Sequence, residues 1–214
     1  RAGLVPADGE THQGVYDPAF LSEAGVPIYS PSNYAELRYW LLRLVGPDYT
    51  GPQAIRYPRG GEVKALAQYG CTGRAYDFLT DGPEADTVLV SYGSEVEDVL
   101  AAAALLDAEG VPCRVCKLVK IFPFTDDFVH EIERFKTVLF VEECVRQGSI
   151  GQQLAARLLA DGWRGAFLHR AVDNTKLTHA TVPELKEIQG LDAGSLAQAV
   201  RQALAADQEK EQSR

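Results

Sequence analysis

Methionine is missing altogether from the 214 residues, and the chain begins with Arg1. An open reading frame needs an initiator methionine, so the sequence is expected to be cut or processed from something longer, with any targeting segment out of view. Cysteine is scarce. Cys71, Cys113, Cys116 and Cys144 are too few for a disulfide scaffold and point to a reducing, cytoplasmic setting. Positive charge is in deficit, with 21 Lys and Arg against 30 Asp and Glu and a net charge of −9. That balance argues against a nucleic-acid binder, which would carry a basic face, but leaves room for a local basic pocket taking an anionic metabolite. Long apolar runs are absent as well. The longest, VLAAAALL at 99–106, falls far short of the roughly 20 residues of a spanning helix, so no membrane role is expected. Nor does a glycine-rich phosphate motif open the second half, whose first strand-to-helix turn reads SYGSE, neither G-x-G-x-x-G nor a P-loop.

What is present is ordinary for a globular chain: 46% hydrophobic and 24% charged residues, enough for one large domain or two small ones. Short apolar runs alternate with amphipathic ones. Strands are expected over 26–30, 54–58, 86–93, 113–121, 136–143 and 165–172. Helices are expected over 33–45, from Ser94 to Gly110, over 125–135, from 150 to Gly162, from Thr181, and over SLAQAVRQALA. Ser94 with Glu97, Ser149 with Gln152 and Thr181 with Glu184 have the spacing of capping boxes. This alternation implies parallel β-α-β units and an α/β fold. Residues 60–85 hold Gly60, Gly61, Gly70, Gly73, Gly82 and Pro83 with little periodicity. A boundary is therefore expected near residue 74, giving units at 1–74 and 75–206 and a solvated tail at 207–214.

Two motifs have structural readings. Cys113 and Cys116 form a C-x-x-C, but positions i and i+3 of a strand face opposite sides, so their sulfurs diverge. With no second pair, neither a zinc nor a redox site is expected. The glycines of RQGSIGQQ precede a helix whose N-terminus is able to hold an anion, although close packing is the commoner reason for such a pair. His12 is harder to place in a core. It sits in PADGETHQGVYD, between glycines and acids and outside any hydrophobic period, in the kind of polar loop that often carries chemistry.

Several strings together carry a family resemblance: DGETHQGVYD (8–17), SPSNYAEL (30–37), GPQAIRYPRG (51–60) and VLFVEE (138–143). Their order and spacing resemble the thiamine-diphosphate-dependent enzymes related to transketolase. Within that superfamily, RAGLVPADGETHQG and RYPRG resemble the 1-deoxy-D-xylulose-5-phosphate synthases, which serve isoprenoid and thiamine precursor biosynthesis. The resemblance runs from Arg1 to about residue 204. It implies the second half of a pyrimidine-binding domain followed by a transketolase C-terminal domain, in a homodimeric enzyme using thiamine diphosphate and Mg2+. The diphosphate domain and the cofactor-activating glutamate would lie upstream of Arg1, so this chain alone is expected to be inactive and to hold no metal.

By the same resemblance, the substrates are pyruvate and glyceraldehyde 3-phosphate, joined with loss of carbon dioxide. His12 is implied as the catalytic residue that donates to, or moves a proton at, the substrate oxygens. Asp8 would orient its ring or hold the acceptor's hydroxyls. Arg59 and Arg1 are implied as phosphate-binding residues, since a guanidinium fork matches phosphate geometry in an otherwise acidic protein. Arg56 is expected in a surface ion pair. Pro6 departs from a frequent glycine, and Glu142-Glu143-Cys144 from Glu-Glu-Asn, which puts a hydrogen bond of the C-terminal domain in question. His130, His169 and His179 are assigned no chemistry. The alternatives are the C-terminal subunit of a split transketolase or a 2-oxo-acid dehydrogenase β subunit, and a non-catalytic dimerisation module.

Overall fold

The computed structural model describes residues 2–7, 9–80, 85–173 and 177–212. It is a mixed α/β structure with two sheets. The larger has the order β3-β5-β4-β7-β8, built from Tyr76–Phe78, Cys113–Leu118, Thr87–Tyr92, Thr137–Val145 and Ala166–Val172. Its strands β5, β4, β7 and β8 run parallel, and β3 joins the edge antiparallel. The alternation of apolar residues feeds two cores, one on each face. Leu89, Val115, Leu139 and Val141 pack with helices α4 (Val96–Ala108), α7 (Val182–Gln189) and α8 (Ala193–Gln212). Val88, Val90, Cys116, Leu118, Val138 and Phe140 pack with α5 (Asp126–Ile132) and α6 (Ile150–Ala160). Cys113 packs against the first core and Cys116 lies in the second, so the C-x-x-C diverges as a strand requires. Burial lifts the Cys113 thiol to a pKa of about 12, far from the reactive range.

The smaller sheet, β2-β1-β6, joins the two halves of the sequence. Strands β1 (Ile28–Tyr29) and β2 (Ala54–Ile55) are parallel, and β6 (Lys120–Phe122) pairs antiparallel with β1. The expected strand 113–121 is therefore two strands. Its first part stays in the large sheet, Val119 accepts from Ser30 N at 2.7 Å, and the rest crosses to β1. A buried charge cluster reinforces the joint: Lys117 pairs with Glu36 near the start of α2 (Tyr34–Leu44), and lies 3.6 Å from Asp77 of β3. Leu4 and Val15 enter the same core as α4 and α8, so hydrophobic burial too crosses residue 74.

Local signals succeed and fail for identifiable reasons. The Thr181–Glu184 capping box is complete, and Ser149 caps α6 by accepting from Gln152 N. The Ser94–Glu97 box does not form. A 3-10 turn at Gly93–Glu95 precedes α4, and the Ser94 hydroxyl donates to Glu143 instead. Helix α1 (Asp17–Glu23) has no counterpart among the expected elements, although Asp17 and Pro18 make an ordinary helix start. Helix α8 runs on to Gln212 through the expected tail, because Ala-Ala-Asp-Gln-Glu-Lys-Glu-Gln contains no breaker and mostly strong helix formers.

Candidate functional site

Residues 2–5 form the axis of the site. Ala2 bridges to Pro58 and Gly3 to Gly14, with Ala2 N donating to Tyr57 O (2.9 Å) and Gly3 N to Gly14 O (2.8 Å). The loop that carries His12 and the loop that carries Arg59 therefore flank one segment. Two sequence-distant candidates are brought to either side of the same backbone. Asp8 and Arg1 lie outside the described residues.

The His12 loop is held from inside. Gln13, buried, accepts from Val5 N through Oε1 (2.7 Å) and donates from Nε2 to the carbonyls of Val5 and Gly9, each at 3.0 Å. His12 itself is exposed at the end of a 3-10 turn, with Nδ1 2.9 Å from the Thr11 hydroxyl. An Nδ1 that accepts there leaves the ring proton on Nε2. On the other side the loop meets residues 179–180. Ala7 N donates to Ala180 O, and His179 Nδ1 lies 3.2 Å from Ala7 O, which can only accept. Gly9 has φ of 65°, and a Cβ there would stand 2.6 Å from His179 Nε2, so only glycine fits this approach. His179 thus has a structural role in seating the loop.

Arg59 is exposed on the rim of a pocket of about 480 Å³. Ser32, Asn33 and Tyr34 at the start of α2, Gly60 and Gly61, and Ser94 also line it. The helix N-terminus beside the pocket is already served by the protein's own groups: Tyr34 N donates to Glu62, Glu36 N to Asn33 and Ser32 N to Glu36. An anion in this pocket would therefore meet Arg59 and hydroxyls in preference to free helix donors. His12 is not among the lining residues.

Arg56 departs from the expected surface ion pair. It is 7% exposed and pairs with Asp17 at 2.8 Å, and its Nη2 donates to the carbonyls of Gly14 and Glu143, both at 2.9 Å. Strand alternation did not reveal this, because the covering layer comes from residues 14–17 and 143, remote in sequence. His169 is likewise engaged. A carboxylate only accepts, so Nε2 carries the proton it donates to Glu142 Oε1 (2.7 Å). Glu142 also accepts from Tyr92 OH (2.7 Å) and Gly151 N (2.9 Å), and is fully buried. Burial first, then the nearby Glu142, raises the Tyr92 pKa well above the usual phenol value, so it stays a donor.

Among the described residues, no group of three or more His, Cys, Asp or Glu side chains converges to hold a metal ion. Arg59 at the pocket and the imidazole of His12 on the neighbouring loop are both exposed. No helix among the described residues is long and apolar enough to cross a membrane.

Residues 78–196 match the family described as transketolase, C-terminal domain. The chain is 33% identical over 215 aligned residues to a 1-deoxy-D-xylulose-5-phosphate synthase of Gloeobacter violaceus, covering 97% of this chain and 33% of that protein. A protein of the same name from Listeria welshimeri is 30% identical over 209 residues, covering 96% of this chain and 33% of the relative. The chain thus spans about a third of the length of these relatives. In fold it is similar to a solved split gene transketolase, described as an inactive beta4 tetramer, with TM-score 0.77, 24% identity, and coverage of 92% of this chain and 63% of that one.

Proposed function

The chain belongs to the transketolase C-terminal domain family, and on that premise we propose that it is part of a 1-deoxy-D-xylulose-5-phosphate synthase, joining pyruvate to glyceraldehyde 3-phosphate with loss of carbon dioxide. The observation that carries this reading is the juxtaposition at residues 2–5, where the His12 loop and the Arg59 loop flank one segment. It stands beside a likeness to the synthases that runs through nearly the whole chain. In this reading Arg59 binds the acceptor's phosphate and His12 donates to, or moves a proton at, the substrate oxygens, with Asp8 and Arg1 assisting. Residues 1–74 complete a pyrimidine-binding domain and 75–206 form the C-terminal domain. Thiamine diphosphate and Mg2+ belong to the complete enzyme, a cytoplasmic homodimer, and are held mainly by residues outside this chain.

Kinetics of the complete protein with two acceptors tests the assignment. Arg59→Ala removes a charge-assisted pair of hydrogen bonds and is expected to lower kcat/KM for glyceraldehyde 3-phosphate about 30- to 1000-fold. Unphosphorylated glyceraldehyde has no such pair to lose and should change little. Arg59→Lys should recover only part of the loss, because an ammonium cannot form the fork. Equal losses for both aldehydes would remove Arg59 from the phosphate site. The likeness in fold to a split gene transketolase supports a second reading, a separate subunit that must meet a partner chain. The intact mass of the source protein distinguishes the two.

A further inference from the structure

We propose that Glu143, on strand β7, is a positioning residue whose carboxylate holds the backbone of residues 3 and 4 and so sets where the His12 and Arg59 loops stand. The inference rests on the roles given above to those two residues. Glu143 is buried, and its Oε2 accepts from Leu4 N at 2.7 Å. Gly3 is shaped around it: φ is +75°, and a Cβ at Gly3 would lie 1.8 Å from Oε2. Only a residue without a side chain leaves the carboxylate where it is. The same residue's carbonyl accepts from Arg56 Nη2, which also holds Gly14 O, two residues beyond His12. Its other carboxylate oxygen accepts from the hydroxyl of Ser94, which lines the Arg59 pocket.

One residue of the C-terminal half therefore touches the segment between the two loops, the arginine that ties them, and the pocket wall. Packing alone does not call for a carboxylate here, since an apolar side chain of similar volume fills such a site without desolvating a charge. What the carboxylate adds is a directed acceptor for the Leu4 N–H and the Ser94 hydroxyl, and a charge 3.5 Å from Lys186 Nζ, which keeps Asp98 and Glu95 as partners when Glu143 is replaced. Residues 2–5 carry the bridges to Pro58 and Gly14, so a shift of Leu4 moves both loops together. A displacement of about 1 Å in such a site costs on the order of 100-fold in rate.

Glu143→Ala and Glu143→Gln in the complete protein test this by two measurements. With alanine, hydrogen exchange followed by mass spectrometry should quicken about tenfold or more across residues 3–14 and leave β4 unchanged, the size expected for losing one charge-assisted hydrogen bond. Glutamine keeps an oxygen to accept from Leu4 N and should retain most of the protection. In parallel, kcat/KM for glyceraldehyde 3-phosphate should fall about 10- to 100-fold with alanine, and the preference for that acceptor over glyceraldehyde should fall with it, glutamine restoring most of both. Unchanged exchange at 3–14, or an equal loss for both aldehydes that follows the melting temperature, overturns the proposal. If the unmodified protein condenses neither aldehyde, the functional reading fails instead, and exchange alone decides whether Glu143 holds the loop.

Discussion

Lys186 Nζ stands 2.5 Å from Asp98, 2.9 Å from Glu95 and 3.5 Å from Glu143, nearly out of contact with water. Burial pushes its pKa down, but the three carboxylates outweigh this and the net shift is upward. Glu95 is the opposite case. Burial raises its carboxyl well above the usual range, and Lys186 is the main influence opposing it. In Lys186→Met that opposition vanishes, and the folded-state pKa of Glu95 rises further above the unfolded value of about 4.3. The folded state then keeps a proton that the unfolded state releases, so stability is fully present below that pH and drains away as pH rises through the folded pKa. The variant should lose about 3–5 kcal/mol near neutrality, the usual result of breaking a buried pair. Its melting temperature should also fall further below that of the unmodified chain as pH rises past the point where Glu95 of the unmodified chain ionises. A difference independent of pH, measured by calorimetry on both sides of that point, would contradict this account.

At the scale of elements, α6 shows how a helix end and two strands depend on a missing side chain. The glycines of RQGSIGQQ invited two readings, an anion at the helix N-terminus and close packing, and both hold at Gly151. Its N–H, a first-turn donor without a helical partner, donates to the Glu142 carboxylate, so the anion is the protein's own. A Cβ at Gly151 would meet His169 Nε2 at 2.6 Å and Glu142 Oε1 at 2.8 Å. Gly→Ala within a helix ordinarily stabilises by about 0.5–1 kcal/mol. Here the sign should reverse, and Gly151→Ala should destabilise by roughly 1–3 kcal/mol, as overpacking does. Thermal unfolding followed by circular dichroism decides it, and an unchanged or higher melting temperature would show that His169 moves aside freely.

For the whole molecule, the two halves share more than a linker. Strand β6 completes the small sheet, Lys117 bridges Glu36 and Asp77, and Leu4 and Val15 enter the core of the large sheet. That sharing seats the N-terminal segment against the C-terminal half. A cofactor site is a different matter, because on the proposed reading it is held mainly by residues outside this chain, which spans about a third of the length of its relatives. The 214-residue chain alone is therefore expected not to bind thiamine diphosphate with Mg2+ in isothermal titration. Micromolar binding by this chain would mean that its own residues make a site.

Hydrophobic period and turn chemistry were enough to read the α/β class, the parallel strands of the second half and the Thr181 cap, because each depends on neighbours within a few residues. The same locality explains why His12 stood out: nothing near it in sequence asks for burial. Tertiary structure alone decided the partners of the remaining polar groups. Ser94 had the spacing of a cap, yet its hydroxyl went to Glu143, 49 residues away in sequence. Arg56 alternated like an exposed residue and was covered by Gly14, Asp17 and Glu143. A buried charge or hydroxyl must find a partner wherever the folded chain brings one, and that requirement carries no sequence period.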